Sequence, residues 1–112
     1  MKYLCLVYLA QEKYHACPDH KCAAYAGELQ DSGHLLAAEP LHPIETATTV
    51  RVRNQKVEVT DGPFAETKEH LAGFYLIDAK DINEAIHWAA KIPPAEHGSI
   101  EVRPVRELQL SQ

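Results

Sequence analysis

An α+β domain, with an antiparallel sheet carrying two helices on one face, is the fold class this sequence predicts. Three observations carry the prediction. Four short apolar runs have strand length, and each of two amphipathic segments at helical spacing stands between a pair of them. Between these two β-α-β units lies an alternating valine-rich stretch with hairpin form. The chain has 112 residues, 46% hydrophobic and 24% charged, which suits one domain spanning 1–112 by the usual span of roughly 100–200 residues.

The first strand is Lys2 to Leu9. Tyr3, Cys5, Val7 and Leu9 fall on one side and Leu4, Leu6 and Tyr8 on the other, so both sides are mostly apolar. A strand of this kind is normally covered on both faces. Lys2 is the only charge before this run and no small-residue cleavage site follows it, so it reads as a buried strand rather than a secretion signal. Pro18 suits a first helical position. Cys22, Ala26, Leu29 and Gly33 then recur at helical spacing until Ser32-Gly33 ends the helix. LLAAEPL follows as a short strand broken by Pro40 and Pro43.

TTVRVR-NQ-KVEVT, residues 48–60, predicts a hairpin turning at Asn54-Gln55. That register sets Val52 against Val57 and Val50 against Val59 on one side. Arg51 then lies opposite Glu58 on the other, a pair worth roughly 0.2–1 kcal/mol. Asp61-Gly62-Pro63-Phe64 forms a tight bend. HLAGFYLID is the strongest strand and is again apolar on both sides. Asp81 caps a second helix, with Glu84 three residues later in a near capping box. Ile82, Ala85, Ile86 and Ala89 give this helix its apolar stripe, and Asn83, His87 and Lys91 its wet side. Pro93-Pro94 stops it, and SIEVRPV supplies the last strand.

The order β-α-β, hairpin, β-α-β is a ferredoxin-like arrangement with an inserted hairpin. Two helices cover only one face of such a sheet, yet at least two strands are apolar on both. A second copy of the sheet is the simplest cover, because two-fold dimers are the commonest oligomers. The expectation is a homodimer packed through its sheets, with clefts at the subunit boundary.

Charge and cysteine content narrow the function. The net charge is −5, which gives no field for phosphate backbones, so direct nucleic-acid binding is not expected. No apolar run approaches the length of a membrane span. The odd count of three cysteines argues against a disulfide framework and for a cytoplasmic location. HACPDHKC, residues 15–22, has the look of a metal site. On a helix begun at Pro18, however, His20 and Cys22 point about 200° apart and cannot share an ion. A remnant set of His15, Cys17 and His20 falls short of the usual four zinc ligands, so neither a metal nor any other cofactor is expected.

TDGPFAETKEHLAGFYLI, with NEAIHWAAKIP and GSIEVRPV after it, resembles the DGPF branch of the YCII-related proteins. MKYLCLVY, SGHLLAAEPL and TATTVRVRNQKV match the same family's earlier segments, leaving only residues 11–24 outside the likeness. The resemblance implies a ferredoxin-like unit of the dimeric α/β-barrel type, dimerising through its sheets, with a pocket near the interface. It implies no defined activity. Many members lie beside or fused to sigma factors of the extracytoplasmic-function class, which makes such a factor a candidate partner. Another branch is thought to use a His–Asp pair. Cys22 and Ile92 stand at those two positions here, so that dyad is not carried over.

The candidate pocket residues are Asp61, Phe64, Lys68, Glu39, Tyr75, His42 and Arg51. Asp61 and Phe64 sit in the signature bend. Glu39 is a carboxylate in an apolar strand and needs a partner or a wet cleft, with Arg51 or Lys68 to pair it. Tyr75, like Tyr8, offers a hydroxyl on an apolar wall. His42 and His70 stay in play as candidate acid or base groups because histidine is the side chain suited to that role. These residues suit a small-molecule-binding module. The alternative is a cofactor-free enzyme acting on a polar aromatic or similar metabolite, with Asp61, Glu39 or His42 as acid or base. A third reading is a protein-interaction partner with no ligand.

Overall fold

The structure is a computed structural model that describes residues 1–110. Its strands are β1 (Lys2–Leu9), β2 (Leu35–Pro40), β3 (Thr48–Arg53), β4 (Lys56–Asp61), β5 (His70–Asp78) and β6 (Ser99–Pro104). Helices α1 (Asp19–Asp31) and α2 (Ile82–Ala89) fall between β1 and β2 and between β5 and β6. Single 3-10 turns occupy Gln11–Lys13, Ile44–Thr46 and Pro93–Glu96. The main sheet is antiparallel in the order β2-β5-β1-β6, and β3 and β4 form a separate two-stranded ribbon. This is the expected ferredoxin-like α+β arrangement.

The helices cover one face of the sheet. Along β1, buried Tyr3, Cys5, Val7 and Leu9 alternate with half-buried Leu4, Leu6 and Tyr8. Tyr75 and Ile77 of β5 join the buried set, and Tyr25 and Leu29 of α1 close over it with Ala85 and Ala89 of α2. The α1 stripe differs from the sequence reading in two ways. Tyr25 belongs to it, while Cys22 is only half-buried, one turn from the helix start. The α2 stripe is narrower than expected. Ala85 and Ala89 are buried, with Trp88 of the same helix and Ile92 just after it packed on the core, while Ile82 and Ile86 face outward. The α2 cap forms as expected: the Asp81 carboxylate accepts from Glu84 N–H at 2.9 Å, and Glu84 Oε1 accepts from Lys80 N–H at 3.0 Å.

Two cross-sheet rows define the opposite face. Glu39, Phe74, Leu6 and Glu101 stand side by side, as do Ala37, Leu76, Leu4 and Arg103. The centre of that face is therefore leucine and phenylalanine, with charges at its rims, and no helix among the described residues lies over it.

The hairpin has the expected register, Val50 against Val59, Arg51 against Glu58 and Val52 against Val57. Asn54 and Gln55 both take positive φ (51° and 66°), the type I′ geometry that matches strand twist. None of its residues is buried. Val50, Val52, Val57 and Val59 are each 57–68% exposed, an apolar stripe facing solvent. The molecule measures 47 × 46 × 19 Å with a radius of gyration of 16.0 Å. A compact chain of this length has a radius near 13 Å. The excess reflects a thin slab with the ribbon extended from it.

A candidate cleft at the β1–β5 sheet end

A cleft of about 210 Å³ opens where β1 finishes and β5 begins. Leu9 of β1, Ile44 of the 3-10 turn after Pro43, and Leu71 and Ala72 of β5 give it a largely apolar wall. Tyr14, His15, Glu45 and His70 bring polar groups to the same wall. Local chain features hold these groups in place. The 3-10 turn at Gln11–Lys13 brings the chain back, and the Tyr14 ring meets the His15 ring edge-on at 4.9 Å. The Tyr14 hydroxyl donates to the Leu41 carbonyl, and Leu41 N–H donates to Ala72 O at 2.8 Å, tying three segments around the cleft. Thr46 Oγ1 donates to the Pro43 carbonyl at 2.6 Å and fixes the turn that presents Glu45.

His70 pairs with Leu9 across the β1–β5 ladder. Its Nδ1 is closed off from solvent and has no hydrogen-bond partner among the described residues. A buried polar atom without a partner is costly, roughly 1–3 kcal/mol, so such an atom in a cleft wall points to a ligand or ordered water. The neighbouring Glu69 is occupied: its carboxylate accepts from Ser99 Oγ at 2.7 Å, and its carbonyl from Thr67 Oγ1 at 2.6 Å.

The seven candidate residues occupy five separate places. Asp61 ends β4, and Thr49 Oγ1 donates to the following Gly62 carbonyl at 2.8 Å, beside the bend. Gly62 takes φ of 101°, which only glycine adopts readily, and the bend then turns Phe64 outward to 78% exposure. Arg51 Nη2 donates to the Phe64 carbonyl at 3.3 Å, so Asp61, Arg51 and Phe64 gather at the hairpin base. Lys68 is exposed on the stretch leading to β5. Glu39 stands on the open sheet face beside Phe74. His42 is exposed between Leu41 and Pro43, next to the cleft. Tyr75 lies in the core under α1, its hydroxyl 3.5 Å from the Cys22 carbonyl and its pKa raised mainly by burial. One chain alone does not bring the seven to a common wall.

Tyr14 and Glu45 carry no sequence signal that distinguishes them from loop residues, and His15 stood out only as part of the metal-like HACPDHKC stretch. They meet only because two isolated 3-10 turns face each other. His15 points to this cleft rather than to a metal set, and His20 is exposed on α1. Among the described residues, no group of three His, Cys, Asp or Glu side chains is placed to hold an ion. At the dyad positions, Ile92 is buried in the core, and burial together with Cys17 pushes the Cys22 thiol up to about 12. A thiol protonated at neutral pH is no general base. No helix among the described residues is long and apolar enough to cross a membrane.

The model of the YCII-related domain family matches residues 1–109. An uncharacterised protein of Rhizobium meliloti (strain 1021) is 44% identical over 77 residues. That match covers 67% of this chain and 62% of the relative, so the aligned part spans less than two thirds of the relative's length.

Proposed function

The chain belongs to the YCII-related domain family, and from that premise we propose that it is a small-molecule-binding homodimer whose sheets pack face to face. The carrying observation is the apolar surface over which no described helix lies: half-buried Leu4, Leu6, Phe74 and Leu76 on one sheet face, and the exposed valine stripe of the hairpin. Soluble monomers rarely leave large contiguous apolar patches open. Glu39, Glu101 and Arg103 place both signs of charge at the rims, which suits a self-complementary two-fold contact.

The cleft supports ligand binding in the same assembly. Its 210 Å³ is below the roughly 300–1,000 Å³ of ordinary small-molecule sites, as expected of a pocket completed at a subunit boundary. Its apolar wall takes the body of a small metabolite, and His15, His70 and Glu45 supply the polar contacts. His42 flanks the cleft in its own chain, and Asp61, Phe64 and Arg51 at the hairpin base, with Lys68 and Glu39, contribute from the facing copy. The free cysteines fit a cytoplasmic setting. An extracytoplasmic-function sigma factor is the partner that would read the bound state.

A thermal-shift screen of metabolites tests the binding reading. A ligand of the native state raises the melting temperature by mass action, by about 2.7 kcal/mol of added stability at a hundredfold excess over Kd. The expected hit stabilises wild type and fails on His70→Ala and His15→Ala. A hit equally effective on both variants removes the cleft from the account.

A second reading is a cofactor-free enzyme, favoured by the unpartnered His70 Nδ1 beside His15 and Glu45. Recovery of a chemically altered hit, with turnover lost in His70→Gln, would select it over the binding module.

A further inference from the structure

Three cysteines occur in the chain, and two of them are almost touching. Cys17 Sγ and Cys22 Sγ lie 3.3 Å apart, each half-buried, with Pro18 in extended backbone (φ −63°, ψ 144°) turning the chain from one into the helix that carries the other. Cys5 is fully buried in the core. We propose that Cys17 and Cys22 are a dithiol oxidation site, which a hydroperoxide converts to an intramolecular disulfide.

The distance makes this specific. A disulfide sets its sulfurs about 2.0 Å apart, so closure needs a movement of roughly 1.3 Å. Cys17 belongs to the irregular stretch after the Gln11–Lys13 turn, where no strand ladder resists that movement. Cys22 is held in the first turn of α1, with its carbonyl facing the Tyr75 hydroxyl.

The chemistry runs in two steps. The Cys17 sulfur attacks one oxygen of the peroxide. An S–O bond forms, the O–O bond breaks, and the leaving oxygen takes the thiol proton to depart as an alcohol or water. The Cys22 sulfur then attacks the resulting sulfenic acid. The S–S bond forms, the S–O bond breaks, and hydroxide leaves with the Cys22 proton as a second water. The two thiols lose two electrons and two protons to one peroxide.

Burial first, and then the neighbouring Cys17, push the Cys22 thiol up to about 12, which assigns the initial attack to Cys17. Two of the influences that hold Cys22 protonated come from Cys17 itself, its hydrogen bond and its charge. Both change once Cys17 is oxidised, which eases the second step. Tyr14 and His15 of the cleft lie three and two residues before Cys17, so the bridge ties the cleft's edge to α1. The oxidation itself does not depend on the cleft holding a ligand.

The test treats the reduced, folded protein with hydrogen peroxide, removes the peroxide, unfolds the chain in denaturant so that buried Cys5 is reached, blocks remaining thiols with an alkylating agent, and weighs intact protein and peptides. The expected product is lighter by two hydrogens, carries one alkylated cysteine, Cys5, and yields a linked Cys17–Cys22 peptide. Cys5→Ser still forms the bridge, whereas Cys17→Ser and Cys22→Ser do not. In Cys22→Ser a sulfenic acid at Cys17 is trapped by a dimedone reagent. Cys17 and Cys22 that remain alkylatable, join between chains, or proceed to sulfinic acid without a bridge overturn the proposal.

Discussion

The Tyr25 hydroxyl donates to the Trp88 carbonyl at 2.5 Å and links the middle of α1 to the last turn of α2. It is the polar clasp in an otherwise apolar layer, because Tyr25 is 6% exposed and its ring sits 6.1 Å from that of Tyr75. Tyr25→Phe keeps the ring and leaves the carbonyl without this donor. The expected cost is about 0.5–1.5 kcal/mol, read as a lower urea midpoint with unchanged slope. An unchanged midpoint would mean that the bond adds nothing to the helix pairing.

Alkaline pH should weaken the fold for a related reason. Burial pushes the Cys5 thiol up from 9.0 to about 11. Burial, with Cys5 and Glu28 nearby, pushes Tyr25 up from 10.0 to about 12. Both groups are neutral when protonated, and the unfolded chain ionises them first. The native state therefore binds more protons through this window, and stability, fully present below about pH 9, falls as pH rises toward 12. The urea midpoint should drop between about pH 9 and pH 12, and less steeply in Tyr25→Phe. A flat profile would contradict the burial of these two groups.

Gly73 marks a close approach inside the sheet. A Cβ there would lie 2.9 Å from the Glu39 carbonyl oxygen and 3.2 Å from Pro40 Cα, both backbone atoms that cannot swing away. Gly73→Ala should destabilise by about 1–3 kcal/mol through displacement of β2. Because Leu41 N–H bonds Ala72 O beside it, the cleft should distort too, so ligand stabilisation and folding stability fall together. Full retention of both would refute the crowding.

The hairpin turn offers a change of the opposite sign. Gln55 holds φ of 66° without being glycine. Gln55→Gly relieves that strain and should stabilise by roughly 0.5–1 kcal/mol. A higher melting temperature with unchanged oligomeric state would confirm that the turn only shapes the ribbon.

Much of the fold was legible because it rests on local rules. Strand alternation, the Asn54-Gln55 loop length, the Asp81 cap and the Pro93-Pro94 stop are all written in neighbouring residues. The misplacements lie where tertiary packing decides. Ile82 and Ile86 fit an apolar stripe by spacing, yet small Ala85 and Ala89 are what allow α2 to approach the sheet. Cys22 has core spacing but sits too near the helix end to be sealed. The cleft was the least legible part. Its polar residues come from two 3-10 turns and a strand end far apart in sequence, and no periodicity joins Tyr14 and His15 to Glu45 and His70.

Sedimentation equilibrium of the full chain tests the central claim most directly. The wild-type protein should sediment at twice the 12.5 kDa chain mass, and Leu6→Glu on the open face should reduce it to a folded single copy. A wild-type protein that sediments as one copy, its leucine and phenylalanine sheet face and hairpin valines left unpaired, would contradict the dimer.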